Sequence, residues 1–168
     1  MPNTPRGPHF VAEVVHRDCN GEPIWQETIH NIFHDEGEEY LCKVAFSEEL
    51  AVPANHYIGL DARGSLAEGD TLADLSGEPS GSGYARQAVA TDNSDYTVSQ
   101  SGGNWQARTK TVTFTASGGS IGAVNNCFLC DAASGTSGDL YCSLALSQSR
   151  TLADGESLDV NMTISISE

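Results

Sequence analysis

The sequence predicts a mainly β protein: a single β-sandwich or jelly-roll-like domain with one short helix and an extended N-terminal arm. Three observations carry this. Polarity alternates with a period of two along several runs, most cleanly where Leu158, Val160, Met162, Ile164 and Ile166 oppose Asp159, Asn161, Thr163 and Ser165. About eight or nine strand-like runs follow one another at close spacing, divided by Gly, Ser, Asn and Asp turn signals. Seventeen glycines and only 18% charged residues suit a loop-rich sheet protein better than a helical bundle. At 168 residues the chain is read as one domain. It is long enough to bury roughly 70% of the surface exposed when unfolded, so no disulfide or metal is needed.

Residues 1–8 hold three prolines and a glycine, a composition that blocks full sheet pairing and helix formation. They are read as the arm, and residues 9–168 as the sandwich. From His9 to Arg17, Phe10, Ala12 and Val14 share one face and Val11, Glu13 and Val15 the other. Asn20-Gly21 is a strong hairpin turn, because both residues tolerate positive φ. Ile24 to Phe33 returns as the second strand, with Trp25, Ile29 and Phe33 on one face. A helix is expected over residues 36–47. Asp35 stands as its cap, Glu38 lies three residues on, and Tyr40, Leu41, Val44 and Ala45 follow at helical spacing. Pro53 and the change of pattern end it.

Tyr57 to Asp61 reads as a short buried strand that opens a long polar connection, with a helical turn at Thr71 to Leu75 and a bend at Glu78 to Gly83. Strands are expected at Tyr84 to Ala90 and Tyr96 to Gln100, and Gly102-Gly103 turns the chain before Trp105. Lys110 to Ala116 and Ala123 to Cys130 read as a hairpin-like pair joined by the glycine-rich turn Ser117 to Gly122. Leu140 to Leu146 and Leu158 to Ile166 complete the set.

Charge excludes some functions. Eight Lys and Arg against 23 Asp and Glu give a formal charge of −15, which repels phosphate backbones and anionic membrane surfaces. Neither nucleic acid nor membrane is expected as a partner. The first eight residues lack the apolar core of a signal peptide, so the protein is expected to be made and kept in the cytosol. Five scattered cysteines, an odd number, do not form a secreted disulfide framework and are read as reduced thiols.

The motif search finds no chemistry. Gly118-Gly-Ser-Ile-Gly122 fits the nucleophile-elbow pattern, but a strand follows where a helix is required, and all five histidines precede Ser120. It is read as a turn. His30 and His34 have the spacing of zinc ligands but straddle a strand-to-helix boundary and lack the intervening glutamate of a metalloprotease. Cys127 and Cys130 have CxxC spacing, yet on a strand they face opposite sides, and are read as core residues. The acidic loops around Asp92 and Asp95 and from Asp61 to Asp74 offer oxygens for calcium without the ligand order of an EF-hand, and are read as solvated charge. No catalytic residue, cofactor site or metal site is assigned, and no enzymatic activity is expected.

Five phrases together carry a resemblance: Glu22-Pro-Ile-Trp-Gln-Glu27, His30-Asn-Ile-Phe-His-Asp-Glu-Gly-Glu38, Tyr57-Ile-Gly-Leu-Asp61, Gly83-Tyr-Ala-Arg-Gln-Ala88 and Val112-Thr-Phe-Thr-Ala-Ser-Gly-Gly-Ser-Ile-Gly122. In order and spacing they resemble small virion structural proteins of tailed bacteriophages. The resemblance implies a head decoration, or cement, protein on the capsid exterior that clamps major capsid protein subunits, and a homo-oligomer, specifically a trimer. It supplies no catalytic motif. Pro2, Pro5, Arg6, Pro8 and Phe10 are the expected partner-binding residues, touching the capsid or an adjacent copy. The main alternative is a tail-associated or fibre protein that binds a host surface glycan, with Trp25, Trp105 and the tyrosines as stacking groups. A small virion-associated hydrolase using two acids is the third reading.

Overall fold

The computed structural model describes residues 7–30, 32–47, 49–64 and 66–167. They form two packed antiparallel sheets, the predicted sandwich. The first sheet contains β1 (Gly7–Arg17), β2 (Pro23–His30), β6 (Tyr96–Ser101), β7 (Asn104–Thr109), β8 (Val112–Thr115) and β11 (Ser157–Ser167). Its order is β2-β1-β11-β7-β6, with β8 also paired to β11. The second sheet contains β3 (Ile32–Phe33), β4 (Asn55–Asp61), β5 (Gln87–Ala90), β9 (Ile121–Cys130) and β10 (Leu140–Leu152), in the order β3-β10-β9-β4-β5.

β11 organises the first sheet. Along one side it pairs with β1 from Gly7↔Ser167 to Arg17↔Ser157. Its other side is shared between β7, opposite Thr163 to Ile166, and β8, opposite Ser157 to Val160. The alternation read from the sequence is realised in packing: Leu158, Val160 and Met162 lie in the core beside Ala12 and Val14 of β1. Fully burying each such large apolar side chain is worth about 1.5–3 kcal/mol. The first hairpin also forms as expected, turning through Gly21 at φ 85°, with the Asp18 carboxylate accepting the Asn20 and Glu22 amides. β2 ends at His30, however, and Phe33 belongs to β3 in the second sheet.

The expected pairing of Val112–Thr115 with Ile121–Cys130 does not occur. β8 joins the first sheet and β9 the second. Between them Gly118 at φ 75° and Gly119 at φ 156° carry the chain across the end of the sandwich, held by the Ser117 amide on the Ser82 carbonyl and the Gly118 amide on Asp154. Alternation fixes which face of a strand is buried; it says nothing about the neighbouring strand.

The helix falls where predicted. α1 (Asp35–Cys42) continues into a π-helical turn at Lys43–Ser47. His34, not Asp35, holds the N-cap position, and no side chain caps the helix there. Gly37 is required at its place: a Cβ would stand 2.4 Å from the Tyr141 carbonyl oxygen.

The polar connection after β4 covers the outer face of the second sheet. Leu66, Leu72 and Leu75 pack on Phe128, Cys130 and Leu140 in a second apolar cluster. Thr71 and Asp74 form a reciprocal capping box around the 3-10 turn Leu72–Asp74. Arg86, whose side chain is 2% exposed, grips Glu78 through two bonds of 2.7 Å, donates to the Ala132 and Gly135 carbonyls, and lies over the Phe128 ring at 5.2 Å. These donors fix the residues before β5, so the strand expected from Tyr84 begins only at Gln87.

Candidate functional site

At one end of the first sheet, large apolar side chains stay exposed. Phe10, Ile164, Ala107 and Val98 are register partners across β1, β11, β7 and β6 and line an apolar cleft of about 340 Å³. The next row on the same face is Pro8, Ile166, Trp105 and Gln100. Val98, Trp105 and Ile166 are 62%, 60% and 57% exposed. Tyr40 and Leu41 of α1, with Val52 and Asp92 from the loops, supply the other walls.

Three tyrosines and one imidazole converge in this cleft. His56 Nδ1 lies 2.8 Å from the Tyr96 hydroxyl and Nε2 lies 3.1 Å from the Tyr40 hydroxyl. A neutral imidazole meets both, donating to one hydroxyl and accepting from the other. Tyr40, Tyr141 and Tyr96 surround the ring, with His56 to Tyr141 at 5.2 Å and Tyr40 to Tyr141 at 4.3 Å between centroids. Burial pushes His56 down to about 4, with the Asp131 carboxylate opposing only in part. Burial also raises Tyr40, Tyr96 and Tyr141. The Tyr141 hydroxyl is buried and unpartnered among the described residues. With both His56 nitrogens engaged and its neutral form favoured, the arrangement is suited to shape and apolar contact. Asp92 is the one carboxylate lining the cleft among the described residues, held below the usual carboxylate range by the Ser94 hydroxyl and amide.

The predicted partner-binding residues divide. Pro2, Pro5 and Arg6 lie outside the described residues. Pro8 is exposed at the cleft end, opposite Ile166. Phe10 is 6% exposed and its ring meets Phe33 at 5.4 Å, which makes it part of the cleft floor and the core. Gly7 and Pro8, read as part of the arm, begin β1. Of the tryptophans, Trp105 is open, while Trp25 is half-buried beneath the Arg150 guanidinium at 4.7 Å.

The remaining motifs prove structural. Ser120 sits between β8 and β9, ahead of a strand. His30 faces solvent, whereas His34 is fully buried and bonded to the Ser143 hydroxyl at 2.8 Å and the Glu68 carbonyl at 3.0 Å. Cys127 belongs to the main core and Cys130 to the outer cluster, on opposite faces of β9. The loop carboxylates serve the chain's own donors: Asp61 takes the Arg63 and Gly77 amides, Asp70 the Arg63 guanidinium, and Asp95 the Lys110 ammonium. Every described Lys and Arg has an internal partner: a carboxylate for Arg17 with Asp159, Lys43 with Glu39 and Arg108 with Glu13, and the His16 ring for Arg150.

The cleft was invisible to the motif search. Tyr40, His56, Tyr96 and Tyr141 come from four elements far apart in the chain and follow no spacing. The exposure of Val98, Trp105 and Ile166 marks the site, and exposure is not written in sequence.

A family model described as podophage GP4 fiber I protein gp80 matches residues 35–165. The match runs from the start of α1 almost to the end of β11 and includes α1, β4, β6 and β10, the elements that build the aromatic cluster. No curated protein and no solved structure matches the chain.

Proposed function

The chain belongs to the podophage GP4 fiber I protein gp80 family, a family of phage virion structural proteins, and from that premise we propose that it serves as a non-enzymatic structural module of a phage fibre. The family match over residues 35–165 carries this reading. Its description names a fibre, which favours the tail-associated role over the head-decoration role implied by the sequence phrases.

The geometry supports a binding role over a catalytic one. The cleft gathers apolar and aromatic groups with a single lining carboxylate, and its imidazole is occupied on both nitrogens. Among the described residues no group of three or more His, Cys, Asp or Glu is placed to hold a metal ion. Two tightly paired sheets, braced on the outside by Arg86 and Glu78, make a stiff body whose open end meets other surfaces. Quantifying this polypeptide against the major capsid protein in purified particles tests the assignment. A fibre module is present at a small fraction of the capsid protein's copies, and near-equal copy number would return the protein to the head shell.

A further inference from the structure

We infer that the outer edge of β6 is a self-association site, pairing antiparallel with β6 of a second copy of this chain about a two-fold axis at Val98. The inference goes beyond the fibre reading and does not depend on where in the particle the protein sits.

β6 ends the strand order of the first sheet, and its hairpin with β7 decides which main-chain groups are left unused. Gly102 and Gly103, at φ 59° and 89°, form the two-residue turn, closed by the pair Ser101↔Asn104. Bonded pairs then alternate, at Ser99↔Gln106 and Thr97↔Arg108, and the Lys110 amide on the Asp95 carbonyl continues the set. Val98 and Gln100 therefore turn their N–H and C=O groups to the free side, where no described strand meets them. The Tyr96 amide on that side is taken by the Asp92 carbonyl.

Sheet proteins blunt such edges with proline, charge, shortness or a cover, because an unblunted edge templates a further strand. The other edges here show these devices. β2 carries Pro23 and Glu27, β3 is two residues long, and β5 and β8 are four residues each, with the Ala90 amide of β5 bound by the Asp95 carboxylate. β6 has none of them. Its six residues, Tyr96-Thr-Val-Ser-Gln-Ser101, hold neither proline nor charge, and their register with β7 runs without a bulge. Thr97, Val98, Gln100 and Ser101 are exposed.

Charge identifies the partner. A chain of net charge −15 repels its own copies over most of its surface, so a self-contact falls where acid is missing. The hairpin from Tyr96 to Ala107 contains no charged residue, and Asp95 just before it is paired with Lys110 at 2.7 Å. Pairing about Val98 is also self-complementary, as a two-fold contact must be. Val98 exchanges N–H and C=O bonds with its copy, Tyr96 comes opposite Gln100, and Thr97 opposite Ser99, a hydroxyl pair suited to cross-strand bonding. No charge meets its like. The two Val98 side chains, each 62% exposed in the single chain, face one another across the axis.

Sedimentation of the full chain over a range of concentrations tests the inference, with Val98 changed in three ways. The intact protein forms a dimer. Val98→Lys and Val98→Glu each abolish it by setting like charges opposite one another, and an equimolar mixture of the two restores it. Val98→Pro weakens association about tenfold through the loss of two main-chain bonds. The amide it removes does not bond β7, so the hairpin survives the change. Val98 is exposed, and unchanged melting temperatures at low concentration verify that the variants fold. A monomer at every concentration overturns the inference, and is the result expected if this edge takes the strand of a different protein. A trimer, an assembly indifferent to the single substitutions, or a mixture of the Lys and Glu variants that stays monomeric overturns it equally.

Discussion

His56 Nδ1 stands 2.8 Å from the Tyr96 hydroxyl, a bond that ties β4 of the second sheet to β6 of the first across the open end of the sandwich. The same ring reaches Tyr40 on α1 through its other nitrogen. Three elements are thus joined by one imidazole, whose neutral form burial favours.

Acid should therefore weaken the fold through His56. Its folded pKa is depressed from 6.5 to about 4, so below 6.5 the unfolded chain binds the proton more readily. The stabilisation is complete above about pH 6.5 and disappears as pH falls toward 4. His34, also lowered by burial, acts with the same sign. Urea unfolding at pH 7 and pH 4.5 should show a loss on the order of 2 kcal/mol that is reduced in His56→Phe. An identical loss in both proteins would remove His56 from the account.

The two buried hydroxyls of the cluster should respond differently to deletion. Tyr96→Phe leaves a buried imidazole nitrogen unsatisfied and is expected to cost about 1–3 kcal/mol. Tyr141→Phe removes a hydroxyl that has no partner among the described residues, and should be neutral or stabilising. Thermal unfolding of the two variants gives the comparison.

On the outer face of the second sheet, Gly59 is fixed by the Phe128 ring. A Cβ there would stand 2.2 Å from the ring, and Phe128 itself is fully buried under the Arg86 guanidinium. Gly59→Ala should cost about 1–3 kcal/mol by overpacking. At Gly135, where nothing lies within 4 Å, only the positive φ opposes the same change, with a penalty of about 1 kcal/mol. Denaturant midpoints should rank the variants in that order.

Arg86→Lys tests the brace between the connections. A lysine cannot form the fork on Glu78 while reaching the Ala132 and Gly135 carbonyls. The expected cost is about 1–3 kcal/mol, from carbonyls left without a donor. Faster proteolysis within residues 66–86 and 131–139 should accompany it.

Much of the fold could be read from the sequence because burial in a sandwich is written as alternation. Phe10, Ala12 and Val14 on β1 and Leu158, Val160 and Met162 on β11 declare their faces, and Asn20-Gly21 declares its turn. Strand partners were not legible: Phe114 and Phe128 both belong to apolar clusters whether or not β8 and β9 are neighbours. Nor was the second cluster, since Leu66, Leu72 and Leu75 are single apolar residues in a polar connection and become a core only against Phe128. The cleft was hidden for a different reason. Val98, Trp105 and Ile166 look like ordinary inward-facing strand residues, and only the assembled fold leaves them exposed.

Cryo-electron microscopy of intact particles most directly tests the assignment to a fibre. The two-sheet body should fit density in an appendage of the tail. Density for the same body spread over the faces of the head, and absent from every fibre, would contradict it.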